Sequence, residues 1–595
     1  MTFLVNNPDN FPAELADGFL AANRRYVRKV FGGAVRATES TPGKVAMIIG
    51  GGTGHYPAFA GWVGQGMADG VIFGNIFSSP SAAQALSVAK AAHKGGGVLI
   101  AFGNYAGDVL HFGEAAEMLR SEGIDARIAV VTDDIASASP EELHMRRGIC
   151  GWVTVFKVTG AACEDGKSLD EVIAVFDNVN YRTRTLGVAF SGCTLPGADH
   201  PLFTVPAGKM GVGLGVHGEP GIYDADLGSA DQVAQVLVDG LMKDRPDNPG
   251  DRVIALLNGL GSTTYEELFI TYRTVERLLR EAGVHVIDCE VGELTTSLDM
   301  AGVSLTLTWV DTEIERYWNA PVDTPAIRRG TMQAPRFIDE SQLATEAPKV
   351  TVKEPGSSAS QAAARQIVSG LESVLETLRE RQDELGTLDA FAGDGDHGVG
   401  MVRGVENGLA AARELADRGA GAKTVLARAG EQWSAQAGGT SGALWGAMLA
   451  AAGRALGDTD PVDAAAQVRA AREALDALQR VGKAEPDDKT MLDAFIPCVQ
   501  TLESEVQAGK PIGEAWRKAA EAAEAAAQAT APMRPRIGRA RPLAERSVGH
   551  ADAGAVSFGY IVRTIADRMT GGRGRAASMP VLLNSRRPYM ELWQI

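Results

Sequence analysis

At 595 residues the chain is long for one hydrophobic core and reads as two or three domains. Hydrophobic residues make up 45% and charged residues 22%, as in an ordinary globular protein, and a net charge of -17 argues against broad binding to nucleic acid or anionic membranes. The five cysteines (Cys150, Cys163, Cys193, Cys289, Cys498) lack C-x-x-C spacing and fit reduced thiols better than disulfides or a zinc site. The first residues hold no basic region followed by an apolar run, and no stretch is apolar for long enough to span a bilayer. No signal peptide or membrane segment is therefore expected, and the cytoplasm is the expected location.

From about Lys44 to Val310 short apolar runs alternate with helical stretches. Val45–Ile49, Val71–Phe73, Gly97–Phe102, Ile128–Val131, Val253–Leu257 and Val284–Ile287 are rich in β-branched residues and usually end in Gly, Asn or Asp. This predicts an α/β substrate domain over residues 1–330, in two α/β lobes, with strand-end loops available to a ligand. Residues 331–360, with Pro335, Pro348, Pro355 and Gly356-Ser357-Ser358, read as a linker. Residues 361–570 are Ala-rich with helical periodicity: Ala364, Ile367, Leu371, Val374, Leu375 and Leu378 share one face. About eight antiparallel amphipathic helices are expected there, in an all-α nucleotide domain. The tail 571–595 is Arg- and Gly-rich at first and has no functional reading.

Three places carry chemistry. The strand at Val45–Ile49 runs into Gly50-Gly51-Gly52-Thr53-Gly54-His55, where glycines let a ligand approach the backbone. The run lacks the Lys-Ser/Thr of a P-loop and the G-x-G-x-x-G dinucleotide pattern, and alone it is a weak signal. Two further segments strengthen it: Gly103-Asn104-Tyr105-Ala106-Gly107-Asp108 puts an acid at a strand end, and Gly215-Val216-His217-Gly218-Glu219 puts a histidine two residues from a carboxylate. A neutral imidazole can add to a ketone, and a nearby carboxylate can fix its tautomer. The third place is Leu388–Gly398, whose Asp389, Asp394 and Asp396 repel one another unless cations sit among them. Their oxygens suit Mg2+ bridging to substrate phosphates. A solvated acidic turn is the plain alternative; a calcium loop counted from Asp394 fails, because Val399 and Val405 stand where it needs Gly and Glu.

These segments, with Phe77-Ser78-Ser79-Pro80-Ser81, Leu257–Gly261, Thr296–Gly302, Gly438–Leu444, Lys489–Asp493 and Glu545–Asp552, resemble the single-chain, ATP-using dihydroxyacetone kinase family, collinearly over roughly residues 1–570. The resemblance implies that His217 bonds covalently to the substrate carbonyl carbon as a hemiaminal. It implies that His55 and Asp108 hold the substrate hydroxyls and exchange protons with them, and that Gly52 and Ser79 are further substrate contacts. In the helical domain it implies that Asp389, Asp394 and Asp396 hold two Mg2+ ions on ATP. His397 and the turn with Gly439, Thr440 and Ser441 would contact phosphates, and Met491, Arg546 and Asp552 would line the base, ribose or phosphates. It also suggests a homodimer in which one chain's helical domain caps its partner's ketose site.

The sequence departs from the family in places. The usual H-E-P-A-H-A-G reads here His55-Tyr56-Pro57-Ala58-Phe59-Ala60-Gly61, the usual G-D-K-T-M reads Asp487–Met491, and Ala544 and Ala553 stand for Gly and Pro. The metal ligands and both histidines are kept, so the expected activity is ATP-dependent phosphorylation of a short ketose, with a ketotetrose such as erythrulose at least as favoured as dihydroxyacetone. A longer or branched ketose, cleavage of FAD at the nucleotide site, and a phosphoprotein-dependent donor are the rival activities, and a non-catalytic sugar sensor is the rival from another class. Fusion of the two domains in one chain favours ATP over the phosphoprotein donor.

Overall fold

The computed structural model describes residues 4–332, 336–344, 352, 354–391, 393, 395–537 and 544–570. It divides into two compact units, Met1–Thr351 with Gly438–Ala443, and Val352–Ala437 with Leu444–Ile595. Among the described residues no helix is long and apolar enough to cross a membrane.

The first unit holds two six-stranded sheets. The first is formed by β1 (Val27–Val30), β2 (Gly33–Arg36), β3 (Ala46–Thr53), β4 (Gly70–Ile76), β5 (Val98–Gly103) and β6 (Ala126–Val131), in the order β1-β2-β4-β3-β5-β6. β4, β3, β5 and β6 are parallel neighbours; β3 and β5, in the middle, are buried on both faces, which explains their continuous apolar runs, while β6 at the edge exposes Arg127 and Ile128. The second is formed by β7 (Thr183–Ala189), β8 (Lys209–Val212), β9 (Tyr223–Asp226), β10 (Arg252–Gly259), β11 (His285–Gly292) and β12 (Gly302–Trp309), in the order β11-β10-β12-β7-β8-β9.

Helices α1 (Phe11–Ala22), α2 (Ala82–Ala92), α3 (Ala106–Ser121), α4 (Trp152–Glu164), α5 (Leu169–Tyr181), α6 (Ala230–Lys243), α7 (Tyr265–Glu281) and α8 (Thr312–Trp318) complete this unit. α2 and α3 cover one face of the first sheet, and α6 and α7 one face of the second. Between the sheets lies α4, buried without interruption from Trp152 to Cys163. A helix buried all round lies within a core, and its buried cation, Lys157, donates to the Tyr317 carbonyl at 2.7 Å. Here Trp152, Val155 and Phe156 share one core with Met47, Ile49 and Leu99 of the first sheet and Ile254 and Leu256 of the second. That shared core fixes the two sheets against each other, and with them the loops at their ends.

The second unit is helical: α9 (Ser358–Glu380), α10 (Gln382–Ala390), α11 (His397–Asp417), α12 (Ala422–Ala437), α13 (Gly439–Leu456), α14 (Ala464–Gly482), α15 (Met491–Gln507), α16 (Ile512–Ala529), α17 (Ala544–Ser547) and α18 (Ala553–Met569). The short α10 and α17 add to the helices expected from periodicity. In α9 Val368 takes the buried place, while Ile367 is only half-buried. α18 is buried from Ala555 to Val562 and packs against α9, α10, α15 and α16, so it is the central helix of this unit.

Candidate active site

Parallel pairing places the C-terminal ends of β4, β3 and β5 side by side, the edge of an open α/β sheet where ligands bind. Each end supplies one part of the expected ketose site. β3 contains Gly52 and leads to His55. A Cβ at residue 52 would stand 2.6 Å from the Ser78 nitrogen and 2.7 Å from Phe77, so only glycine fits. β4 leads to Phe77 and Ser79, and Ser79 Oγ lies where a side chain at Gly107 would begin. β5 leads to α3, whose first turn carries the buried Asp108, a position where the helix dipole favours a carboxylate.

His217 comes from the second sheet, on the connection between β8 and β9, and its Nε2 stands 3.0 Å from His55 Nε2. The Thr296 carbonyl accepts from His55 Nδ1 at 2.8 Å, which fixes that ring's tautomer. Burial, then the neighbouring His217, push His55 down to about 3, so its ring is neutral near pH 7 and its Nε2 is a lone pair. Glu219 accepts from His217 Nδ1 and from its backbone N–H, both at 2.9 Å. Burial would raise the Glu219 carboxyl, but His217 and Arg147 outweigh it and hold the group well below the usual range.

Phe77 stacks on His55 (4.9 Å between centroids, 28°) and meets His217 edge-on, and Tyr105 closes another side of His217 at 5.3 Å. Phe77 holds a left-handed backbone (φ 53°), of the kind found at ligand sites. Sequence reasoning gave no role to Phe77, Tyr105 or Thr296, although all three stand inside segments it singled out. The departures Tyr56 and Phe59 line an apolar pocket with Leu15 and Phe19 of α1. Phe59 also packs edge-on against Trp152, which absorbs the aromatic exchange into the core.

In the helical unit Asp389 lies in the last turn of α10, Asp396 stands at the N-cap position of α11, and His397 opens α11. The Gly395 N–H donates to Asp389 Oδ2 at 2.8 Å. Asp394 lies outside the described residues. Among the described residues no cluster of three metal-binding side chains occurs. The donor set is nevertheless the carboxylate oxygen that Mg2+ takes, presented on a turn where Gly395 (φ 77°) reverses the chain. Ser557 of α18 donates to the Gly554 carbonyl, so its hydroxyl oxygen accepts from His397 Nε2 at 2.9 Å.

Asp552 caps α18, and Met491 at the start of α15 borders the same Gly554. Burial pushes the Asp552 carboxyl up to about 6. Lys489 Nζ donates to the Met533 and Ser547 carbonyls, fastening the segment that carries the exposed Arg546. His550 stacks on Phe391 at 3.6 Å, which joins that segment to the end of α10. Sequence reasoning missed Lys489 and this ring pair. Gly438 and Gly439, both left-handed, turn the chain from α12 into α13, whose first turn holds Thr440 and Ser441. The structure thus gathers Asp389, Asp396, His397, Met491 and Asp552 around the starts of α11, α15 and α18, with Arg546 on the adjoining segment.

The Dak1 domain family matches residues 17–326 and the DAK2 domain family residues 391–567. The chain is 53% identical over 575 residues to D-erythrulose kinase of Mycolicibacterium smegmatis, covering 96% of this chain and 99% of that one. It is 51% identical over 570 residues to L-erythrulose kinase of Pectobacterium atrosepticum, covering 95% and 96%. The crystal structure of the dihydroxyacetone kinase from C. freundii in complex with AMP-PNP and Mg2+ matches with a TM-score of 0.51 at 27% identity, covering 95% of this chain and 99% of that one.

Proposed function

We infer that this chain, which belongs to the dihydroxyacetone kinase family, is an ATP-dependent kinase that phosphorylates a terminal hydroxyl of a short-chain ketose, with erythrulose ahead of dihydroxyacetone. The names of two relatives at 53% and 51% identity support the tetrose, one for each hand of the sugar. The observation that carries the reading is the facing pair His55–His217, 3.0 Å apart, where a carbonyl can be attacked beside a proton carrier.

The Glu219 carboxylate holds His217 Nδ1–H and turns Nε2 toward His55. His55 Nε2 is an acceptor and takes the hydrogen that stands between the rings, which frees Nε2 of His217 to act as the nucleophile. When the ketose enters, His217 Nε2 adds to the carbonyl carbon: a C–N bond forms, the C=O π pair moves to oxygen, and the proton passes by way of His55 to that oxygen. The hemiaminal leaves the terminal hydroxyl free, and Asp108 takes its proton as the oxygen attacks the γ-phosphorus of ATP and the bond to the departing ADP breaks. Collapse of the hemiaminal then frees the ketose phosphate. Gly52 and Ser79 contact the sugar at the strand ends.

In the helical unit Asp389, Asp394 and Asp396 would hold two Mg2+ ions, which would supply charge neutralisation at the ATP phosphates. His397 and the Gly439-Thr440-Ser441 turn donate to phosphate oxygens, while Met491, Arg546 and Asp552 border the nucleoside. The working unit is a homodimer in which the helical unit of one chain serves the ketose site of its partner. A panel of dihydroxyacetone, D-erythrulose and L-erythrulose with ATP and Mg2+ tests the substrate: one erythrulose is expected to exceed the triose in kcat/KM. A strong preference for dihydroxyacetone overturns the tetrose, and no turnover of any of the three overturns the activity.

A further inference from the structure

Two adjacent arginines, Arg146 and Arg147, point to different tasks. Arg146 makes a two-pronged pair with Asp244 at 2.7 Å on each arm, far from either histidine in the chain. Arg147 is largely enclosed, with its side chain 12% exposed, and its Nε and Nη2 both reach Asp134 Oδ2, at 3.0 and 2.8 Å. The other Asp134 oxygen accepts from the Ala136 N–H at 3.0 Å, so this carboxylate is anchored to backbone. The remaining arm, Nη1, stands 3.8 Å from Glu219 Oε2, an ion-pair distance rather than a hydrogen bond. A Cβ at residue 215 would lie 2.2 Å from Glu219 Oε2 and 2.8 Å from Arg147 Nη1, so Gly215 leaves the space in which the two charges meet.

We propose that Arg147, clamped by Asp134, is a positioning residue for the ketose site: it keeps Glu219 ionised and in place, and Glu219 in turn orients His217. The proposal rests on the reading of His217 as the anchor of the ketose. Glu219 is faced by His217 on its own connection, by Arg147 and Asp134 from the segment after β6, by Tyr105 at the start of α3, and by His55 beyond His217. Of these, the Arg147 guanidinium is the one cation whose charge does not depend on pH. Without it no fixed charge offsets the cost of keeping the enclosed Glu219 carboxylate ionised, and a proton settles there more readily. A protonated Glu219 donates as readily as it accepts and no longer dictates which nitrogen of His217 carries hydrogen.

The test compares the parent, Arg147→Lys, and the double variant Arg147→Met/Asp134→Asn, which removes both buried charges together and so leaves no stranded ion to unfold the chain. Circular dichroism confirms the fold of each. The first readout is binding of carbonyl-13C dihydroxyacetone and D-erythrulose without ATP, followed by loss of the carbonyl resonance. The second is the pH profile of kcat/KM. We expect the double variant to lose at least tenfold in adduct formation and its acid limb to move to higher pH, with Arg147→Lys recovering part of both. A folded double variant with the parent's adduct yield and pH profile overturns the positioning role while leaving the kinase reading intact. A parent that binds neither sugar as a tetrahedral adduct overturns both. If the double variant does not fold, Arg147→Gln, which keeps donors but no charge, decides in its place: an unchanged acid limb overturns the proposal and a shifted one supports it.

Discussion

His55 is enclosed at the ketose site, only 3% exposed. Its pKa falls from 6.5 to about 3 because burial, and then His217, penalise its charged form. The unfolded chain therefore binds one more proton than the folded one between those values. Stability contributed by this depression is fully present above pH 6.5 and is lost as pH falls toward 3. His55→Phe is expected to lessen the acid sensitivity of unfolding in that window by about one proton's worth of slope, measured by urea denaturation at a series of pH values. An unchanged slope would mean that the ring is not held neutral. Asp487 offers a second residue-scale case. It holds φ 70°, where the family usually has glycine, and its backbone N–H donates to Asp493. Asp487→Val should cost about 1–2 kcal/mol relative to Asp487→Gly in thermal unfolding, since a branched side chain resists the left-handed region.

At the scale of elements, the strand ends do the positioning. Gly52 has no room for a methyl group because the neighbours it would strike are backbone atoms of residues 77 and 78, which cannot swing away. Gly52→Ala should displace the Phe77–Ser79 turn and lower kcat/KM for the ketose by about 100-fold, the size of effect that a 1 Å misplacement brings. ATP affinity should stay near that of the parent, which separates the local effect from loss of fold. The central parallel strands β3 and β5 of the first sheet were legible in the sequence because burial on both faces leaves unbroken apolar runs. β7 and β12 were not. Ser304, Thr306 and Thr308 alternate with Val303, Leu305 and Leu307, a pattern that reads as a half-exposed strand, yet every residue of β12 is buried. Their hydroxyls find partners across the sheet, Thr185 with Thr306 at 2.7 Å and Thr183 with Thr308 at 3.0 Å. The break between α9 and α10 was equally hidden, because Arg381 interrupts the helix with neither Gly nor Pro. The two histidines were legible as motif residues. Arg147 was not, since it has no chemical signature of its own and meets Glu219 only through the fold.

At the scale of the whole molecule, α4 ties the ketose site to the core of the first unit. Enclosed between the sheets, it holds the loop of one sheet that carries His55 against the loop of the other that carries His217. The proposed exchange of helical units between partners has a direct test at this scale. His217→Ala and Asp389→Ala should each be inactive alone, and dimers re-formed from their mixture should regain activity, because one of the two sites then receives an intact half from each chain. A mixture as inactive as its components would place both halves of a site on one chain.

The central claim is that the ketose is phosphorylated while bonded to His217. The most direct measurement follows carbonyl-13C D-erythrulose by NMR, with and without ATP and Mg2+, on the parent and on His217→Ala. The account expects a protein-bound tetrahedral carbon in the parent that disappears into ketose phosphate when ATP is added, and neither adduct nor phosphate with the variant. A His217→Ala protein that turns over ketose and ATP at the parent's rate would contradict it.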